Sequence, residues 1–249
     1  RDRLAMMEHH GSQCGFCTPG IVMALYGLWI GNPKPGAVAV ETALQGNLCR
    51  CTGYESIVRA ALAAAAAGGQ AFDRLAVERE DITVRLAKLA GSGARLEGPS
   101  GLGVVPADLD QFAQIYADMP EATLVAGATD VGLWVTKFLR PISPAIFIGG
   151  LDGLKGVTQD GEWLSIGAGA TYSEAEDTIR RLVPGAADYW SRIGGWQVRN
   201  AGTIGGNIAN GSPIGETPPL MIALGAEITL RHRRPVSYTH LTLPTSDLV

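Results

Sequence analysis

Cysteine is scarce and confined to one part of this 249-residue chain. All 4 cysteines lie between Cys14 and Cys51, and the 198 residues that follow contain none. A secreted protein that is held together by disulfides spreads its cysteines along the chain. The clustering excludes a disulfide framework and indicates a metal site in a reducing compartment, which we expect to be the cytoplasm.

Charged residues are also few, and long apolar runs are absent from the sequence. Charged residues make up 18% of the chain and the net charge is −4, so neither nucleic acid nor an anionic membrane is an expected partner. No apolar run approaches the roughly 20 residues that span a bilayer, and residues 1–10 do not form a secretory signal. With 46% hydrophobic residues, the sequence predicts packed cores, and its length favours two domains.

The first 67 residues are typical of short helices joined by loops. One helix is predicted to start at Thr18, which can act as N-cap ahead of Pro19, and to end at Gly31. A second, short helix is expected to end near Gln45, and a third to run over Tyr54–Ala67.

The pattern of residues divides the chain into four parts. Residues 1–69 are predicted to form a helical domain, and residues 70–105 a linker with one helix at Val77–Leu89. Residues 106–234 alternate short strands with helices, which indicates an α+β domain. Residues 235–249 form an atypical tail that we interpret as truncated or foreign. Strands are predicted at Thr123–Val125, Ala145–Ile148 and Trp163–Ile166.

The spacing of the cysteines indicates an iron–sulfur centre. Cys14 and Cys17 are spaced C-x2-C, and Cys49 and Cys51 are spaced C-x-C. Two iron atoms bridged by sulfide need two thiolates each, and two close cysteine pairs brought together by a helical hairpin supply them. Structural zinc and four buried free thiols are the alternatives, although a C-x-C pair is uncommon in zinc ribbons.

Two glycine-rich loops in the second half are candidates for binding phosphate groups. Leu124–Val131 leads from a strand into a helix, and Gly202–Asn207 carries three glycines. Backbone N–H groups in such loops can cradle an anion. Neither loop has the G-x-G-x-x-G spacing of a Rossmann fold, and ordinary tight turns are the alternative. Asp130, Glu174 and Asp177 are interpreted as helix caps or exposed charges, and no catalytic acid–base residues are expected.

The residues around the cysteines resemble a known family. Gln13–Gly20 and Gly46–Tyr54 are similar to the second, helical 2Fe–2S domain of the molybdenum hydroxylases, which include xanthine dehydrogenase, aldehyde oxidoreductase and carbon monoxide dehydrogenase. The resemblance implies that Gln13 contacts molybdopterin held by a partner domain. The implied cluster ligands are Cys14, Cys17, Cys49 and Cys51.

The second half resembles the FAD-binding domain of the same family, over about residues 104–234. The family more often has Asp where this chain has Glu216, so a carboxylate is kept with a longer reach. The FAD contacts that the resemblance implies are Leu124, Val125, Ala126, Gly127, Ala128, Thr129, Asp130, Val131, Ile193, Gly202, Thr203, Ile204, Gly205, Gly206 and Glu216.

The two resemblances together imply a fold and a function. The expected fold is an all-α 2Fe–2S helical-bundle domain followed by an incomplete α+β FAD-binding domain of the vanillyl-alcohol-oxidase and CO-dehydrogenase-flavoprotein type. The expected role is electron transfer in a xanthine dehydrogenase-like oxidoreductase, from a molybdopterin-binding large subunit through 2Fe–2S to FAD and then NAD, in a hetero-oligomer. An aldehyde or carbon monoxide dehydrogenase subunit and a non-enzymatic zinc-binding module remain alternatives. The chain is expected to be a fragment of a longer protein.

Overall fold

A computed structural model of the chain describes residues 2–68, 73, 75–89, 92–232 and 234–238. The fold divides into two compact units, the first comprising residues 1–88 and 195–197 and the second comprising residues 89–194 and 198–249. Within the residues so described, no helix has the length and apolar character that crossing a membrane requires.

The first unit is helical, as predicted. Its helices are α1 (Asp2–Glu8), α2 (Thr18–Gly31), α3 (Ala37–Ala43), α4 (Glu55–Ala66) and α5 (Ala76–Ala87). Helix α2 has the predicted bounds, and the other predicted helix ends agree with the structure to within about two residues, which is the usual uncertainty of helix boundaries.

The start of α2 differs from the prediction in its capping residue. Cys17, and not Thr18, occupies the N-cap position, and its side chain makes no capping hydrogen bond. Thr18 is the first helical residue, and its hydroxyl lies 2.7 Å from the hydroxyl of Ser12. The predicted Thr18 cap was wrong because that hydroxyl pairs with another side chain rather than with an N–H group of the helix.

The core of the first unit joins four of its helices, α1 to α4. Ile21 of α2, Val40 of α3 and Ile57 of α4 are completely buried and belong to one hydrophobic cluster. Full burial of such a side chain contributes about 1.5–3 kcal/mol. Cys49 is part of the same cluster, so the core that stabilises the helices also fixes the loop between α3 and α4.

The second unit contains a four-stranded sheet with the order β1-β2-β4-β3. Strands β1 and β2 form an antiparallel hairpin, whereas β4 pairs in parallel with both β2 and β3. The predicted strand at 123–125 is confirmed, and the one predicted at 145–148 is one residue shorter. The strands are β1 (Ala94–Gly98), β2 (Gly101–Val105), β3 (Thr123–Val125) and β4 (Ala145–Phe147).

The β1–β2 hairpin lies within the predicted linker, residues 70–105. All five residues of β1 are exposed, so the strand lacks the alternation of buried and exposed positions from which a strand is normally predicted. Gly101 adopts a φ of 120° in the turn, a backbone conformation that favours glycine.

The remaining elements of the chain are mostly short helices. Strands β5 and β6 form an antiparallel hairpin, as do β7 and β8. Strand β6 has the predicted bounds, and β8 extends into residues 235–249, of which 239–249 lie outside the described residues. The elements are α6 (Leu109–Asp118), α7 (Val131–Thr136), β5 (Val157–Asp160), β6 (Trp163–Ile166), α8 (Tyr172–Leu182), α9 (Ala187–Ser191), α10 (Trp196–Ala201), α11 (Ile204–Asn210), α12 (Thr217–Ala223), β7 (Ile228–His232) and β8 (Arg234–Tyr238), with 3-10 turns at Asp152–Leu154 and Pro184–Ala186.

Helix α8 organises the second core. Thr171 and Glu174 form a capping box at its start, which confirms the interpretation of Glu174 as a capping residue. The buried ring of Trp190 donates a hydrogen bond of 3.0 Å to the carbonyl oxygen of Tyr172. The hydroxyls of Tyr172 and Thr217 lie 2.6 Å apart in the interior. These hydrogen bonds give partners to polar atoms that would otherwise be buried without any.

Candidate functional site

The four cysteines come from two loops of the first unit. Cys14 lies in the loop between α1 and α2, Cys17 caps α2, and Cys49 and Cys51 lie in the loop between α3 and α4. Gly15 adopts a φ of 83°, a left-handed conformation that turns the chain between the first two cysteines.

The structure brings a cysteine of each loop against a cysteine of the other. The Sγ atoms of Cys51 and Cys14 lie 3.6 Å apart. Two thiolates bound at about 2.3 Å to one tetrahedral metal ion lie about 3.7 Å apart, so this separation suits two ligands of one metal. Cys17 and Cys49 form the second pair, because they lie close enough for each thiol to affect the pKa of the other.

The two pairs differ in their exposure to solvent. Cys14 and Cys51 are exposed, Cys17 is half-buried, and Cys49 retains only 7% of its accessible surface. In the described part of the chain, no three His, Cys, Asp or Glu side chains converge on a point where they could hold one metal ion. The thiols that the two loops bring together are Cys14 with Cys51 and Cys17 with Cys49.

Hydrogen bonds give the buried pair one acidic thiol. The hydroxyl of Thr52, followed by the backbone N–H of the same residue, lowers the pKa of Cys49 from 9.0 to about 7. The hydroxyl oxygen lies 3.3 Å from the Cys49 Sγ. Burial raises the pKa of Cys17, and its hydrogen bond with Cys49 acts in the same direction. A metal ion that binds this pair meets one thiol that is already close to the thiolate form that metals require.

In the exposed pair, too, the pKa of one thiol is lowered and that of the other is raised. The backbone N–H of Phe16, followed by the thiol of Cys51, lowers the pKa of Cys14. For Cys51 the backbone N–H of Cys14 acts to lower the pKa, but its own hydrogen bond to Cys14 and the loss of hydration outweigh that effect and raise the pKa. Each pair therefore combines one thiol whose pKa is lowered with one whose pKa is raised.

Gln13 lies beside the exposed cysteine pair. Its side-chain amide donates a hydrogen bond of 3.2 Å to the carbonyl oxygen of Cys51, and the side chain is exposed. The contact with molybdopterin that the family resemblance implies for Gln13 stays a prediction. The exposed position leaves the residue accessible to a partner.

The first glycine-rich loop of the second unit offers free backbone donors. Strand β3 ends at Val125, and Ala128 has a φ of 58°, in the left-handed region that non-glycine residues seldom adopt. The N–H groups of Gly127–Val131 make no hydrogen bond to the described part of the chain. Successive free N–H groups in a left-handed turn form an anion-binding concavity, so this loop can hold a diphosphate.

The second glycine-rich loop packs against the first. A Cβ atom at Gly127 would lie 1.6 Å from the carbonyl oxygen of Ala201, and one at Gly205 would lie 2.6 Å from the Cβ of Ala168. Thr203 caps α11 by accepting a hydrogen bond of 3.1 Å from the N–H of Gly206. Gly127 and Gly205 are therefore required for close packing, and the first loop lies against the residue that precedes the second.

The two predicted FAD contacts that lie outside the glycine-rich loops, Ile193 and Glu216, have different surroundings. Ile193 is buried in the second core, with 3% of its surface exposed, so its side chain mainly supports the fold. Glu216 is exposed at the start of α12, and its backbone carbonyl accepts a hydrogen bond of 2.8 Å from the Tyr189 hydroxyl. Its carboxylate is available to a ligand, whereas any contact of Ile193 would be made by the edge of its side chain or by its backbone.

Comparison with known families places these sites in context. Residues 102–242 match the FAD binding domain in molybdopterin dehydrogenase, and residues 3–62 match a 2Fe-2S binding domain. The first match covers more than half of the chain, and the chain belongs to this family of flavin domains in the molybdenum hydroxylases. The resemblance inferred from the cysteine and glycine motifs is confirmed. The first match also includes residues 235–242 of the predicted tail.

Curated relatives narrow the comparison. The chain is 30% identical to the xanthine dehydrogenase/oxidase of Rattus norvegicus, over 98% of the chain and 22% of that protein. It is 28% identical to nicotinate hydroxylase hnxS of Emericella nidulans, over 100% of the chain and 25% of that protein. The chain thus spans about a quarter or less of the length of the curated relatives it matches.

Solved structures agree with the flavin-domain assignment. Quinoline 2-oxidoreductase from Pseudomonas putida 86 is similar with a TM-score of 0.50 and 28% identity, over 54% of this chain and 48% of that chain. A carbon monoxide dehydrogenase from Hydrogenophaga pseudoflava has a TM-score of 0.50 and 26% identity over the same shares of the two chains. The predicted α+β flavin fold is thereby confirmed.

Proposed function

We propose that this chain conducts electrons within a xanthine dehydrogenase-like oxidoreductase. It would receive them from a molybdopterin-bearing partner, hold a 2Fe–2S cluster in its first unit, and deliver the electrons to FAD held by its second unit. When bound, the cluster carries single electrons and FAD exchanges them with a two-electron acceptor. The proposed acceptor is NAD, on the strength of the similarity to xanthine dehydrogenases.

The arrangement of the four thiols carries this proposal. Cys14 and Cys51 would bind one iron and Cys17 and Cys49 the other, because these are the pairs that the two loops bring together. The Sγ atoms of Cys14 and Cys51 are already 3.6 Å apart, so binding of one iron would require little movement of either loop. Thiolate-bound zinc is the alternative metal, and the test below separates the two metals.

The second unit supports the flavin half of the proposal. The free N–H groups of Gly127–Val131 would bind the FAD diphosphate, and the packed loop at Gly202–Gly206 would support them from behind. The exposed carboxylate of Glu216 would accept hydrogen bonds from the cofactor. We assign no acid–base catalyst to this chain, since its role is to bind and orient redox groups.

The partner would approach the exposed cysteine pair. Gln13 lies on that surface, next to the ligand that is most accessible to solvent, and would contact the molybdopterin of a large subunit in a hetero-oligomer. Free thiols of this kind persist in a reducing compartment, which favours the cytoplasm.

A second subtype is compatible with the same sites. The similarity to quinoline and carbon monoxide oxidoreductase structures favours a chain that serves a different molybdenum enzyme. The substrate would be selected by the partner, so activity assays with xanthine, aldehydes and carbon monoxide on the assembled enzyme would distinguish these subtypes.

Reconstitution of the full chain tests the proposal. The chain is incubated with ferrous iron and sulfide without oxygen, and the visible and electron paramagnetic resonance spectra are recorded before and after reduction. We expect a red-brown protein that gives a paramagnetic signal when reduced, and fluorescence quenching when FAD is titrated in. Cys14→Ser and Cys49→Ser should lose the signal.

Arg50→Lys is the matched control, because Arg50 lies between two ligands, is exposed, and supplies no sulfur. It should retain the spectrum of the unmodified chain. A colourless protein that holds one zinc ion would instead indicate a zinc-binding module, and a reconstituted cluster without FAD binding would remove the flavin half of the proposal.

A further inference from the structure

The loop that follows the second cysteine pair has an unusual backbone. Gly53 and Tyr54 both have a positive φ, of 69° and 72°. Glycine tolerates this region, but for a bulky side chain such as tyrosine it costs of order 1–3 kcal/mol. A strained residue persists only where surrounding contacts fix it, and here those contacts lead back to Cys49.

Three hydrogen bonds link Tyr54, Thr52 and Cys49. The backbone N–H of Tyr54 donates to the Thr52 hydroxyl oxygen at 3.2 Å. The backbone N–H of Cys49 donates to the Tyr54 hydroxyl at 2.8 Å. The Thr52 hydroxyl oxygen lies 3.3 Å from the Cys49 Sγ.

The thiolate form of a metal-bound cysteine fixes the direction of the bond between Thr52 and Cys49. The Thr52 oxygen already accepts a hydrogen bond from Tyr54, which leaves its own proton free to donate. A cysteine that binds a metal is a thiolate and can only accept. In the metal-bound state the hydroxyl of Thr52 therefore donates its proton to the sulfur of Cys49.

We propose that Thr52 is a positioning residue that raises the reduction potential of the 2Fe–2S cluster through the sulfur of Cys49. This inference rests on the proposed function of the four cysteines. One added electron increases the negative charge on the ligand sulfurs, so a donor at one sulfur stabilises the reduced form more than the oxidised form. The donated hydrogen bond thus favours reduction.

Burial strengthens this effect at Cys49. The residue retains 7% of its accessible surface and belongs to the hydrophobic core that contains Ile21 and Ile57. A hydrogen bond is electrostatically stronger in such surroundings than in water, because water does not compete for the sulfur. The exposed sulfurs of Cys14 and Cys51 lack this protection.

The test is a redox titration of the full chain with a reconstituted cluster, followed by electron paramagnetic resonance. Thr52→Val removes the hydroxyl and retains the branched shape, whereas Thr52→Ser retains the hydroxyl. We expect Thr52→Val to shift the midpoint potential to more negative values and Thr52→Ser to remain near the unmodified chain. Each tenfold change in the reduction equilibrium corresponds to about 59 mV for one electron.

Tyr54→Phe serves as a control for general loosening of the loop. It removes the acceptor for the Cys49 N–H group but leaves the bond from Thr52 to sulfur in place. It should shift the potential less than Thr52→Val does. If Thr52→Val does not retain a cluster, Thr52→Ala is measured with the same readout.

Two results would overturn the inference while the proposed function stands. One is an unchanged potential in a Thr52→Val chain that holds a normal cluster. The other is an equal shift in Thr52→Val, Thr52→Ser and Tyr54→Phe, which would assign the effect to loop disruption. Failure of the unmodified chain to take up any cluster would instead overturn the proposed function itself, and the tuning role with it.

Discussion

Gly127 packs directly against the backbone of Ala201, so closely that a Cβ atom at position 127 would lie 1.6 Å from the Ala201 carbonyl oxygen. Position 127 lies in the first glycine-rich loop, and Ala201 immediately precedes the second. The contact joins two segments that are more than 70 positions apart in the sequence. The proposed flavin site depends on this approach.

The first prediction concerns substitution of that glycine. Gly127→Ala should weaken FAD binding at least tenfold and destabilise the second unit, because the backbone atoms it meets cannot rotate away as a side chain could. FAD affinity is measured by fluorescence titration, and stability by thermal unfolding. Gly132→Ala is the control, since nothing lies within 4 Å of a Cβ there. Equal FAD affinity in both variants would contradict the assignment of this loop.

The second prediction concerns two arginines that share one carboxylate. Arg199 and Arg180 both pair with Glu176, at 3.0 Å and 3.1 Å, but the Arg199 side chain is 6% exposed and that of Arg180 is 56% exposed. Arg199 also donates to the carbonyl oxygens of Trp190 and Ile193, at 2.6 Å and 2.9 Å. Arg199 therefore anchors the segment that precedes the second glycine-rich loop.

Arg199→Ala should destabilise the second unit by about 3–5 kcal/mol, because it leaves two carbonyls and a carboxylate without their buried donor. Arg180→Ala should cost about 0–1 kcal/mol, as is usual for exposed pairs. Chemical denaturation followed by tryptophan fluorescence measures both. Similar decreases in the free energy of unfolding of the two variants would show that burial does not distinguish the two arginines.

Much of the first unit could be predicted from its sequence. The bounds of α2 follow from the spacing of its apolar residues and from the residues at its two ends, which are local signals. The pairing of Cys14 with Cys51 could not be predicted, because C-x2-C and C-x-C spacings leave open which cysteine of one loop meets which of the other. That choice is set by the packing of α2 and α4 around the core.

The second unit was harder to predict for a related reason. The β1–β2 hairpin has no buried face in β1, so the sequence carries no alternation to reveal it. In the first unit, the contact of Thr52 with the sulfur of Cys49 could not be predicted either, since the sequence alone does not show where a threonine after C-x-C places its hydroxyl. The hairpin and the Thr52 contact both depend on contacts that form only in the folded chain.

The third prediction is a pH dependence in the iron-free, reduced chain. The pKa of Cys49 is about 7 in the folded chain and 9.0 in the absence of its partners. A group whose pKa is lowered by folding stabilises the folded state fully above the higher pKa, and loses that contribution as the pH falls through the lower one. Cys49 should therefore stabilise the chain more at pH 9 than at pH 7.

Thermal unfolding of the unmodified chain and of Cys49→Ser, each at several values between pH 7 and pH 9, measures this effect. The midpoint of the unmodified chain should rise relative to that of the variant as the pH increases. A constant difference across this range would mean that Thr52 does not acidify the thiol in solution.

The content of iron and acid-labile sulfide in the reconstituted chain tests the central claim most directly. The account predicts two irons and two sulfides per chain, bound together and lost together when Cys14 or Cys49 is replaced by serine. A single metal ion per chain without sulfide, held by the same four thiols, would contradict it.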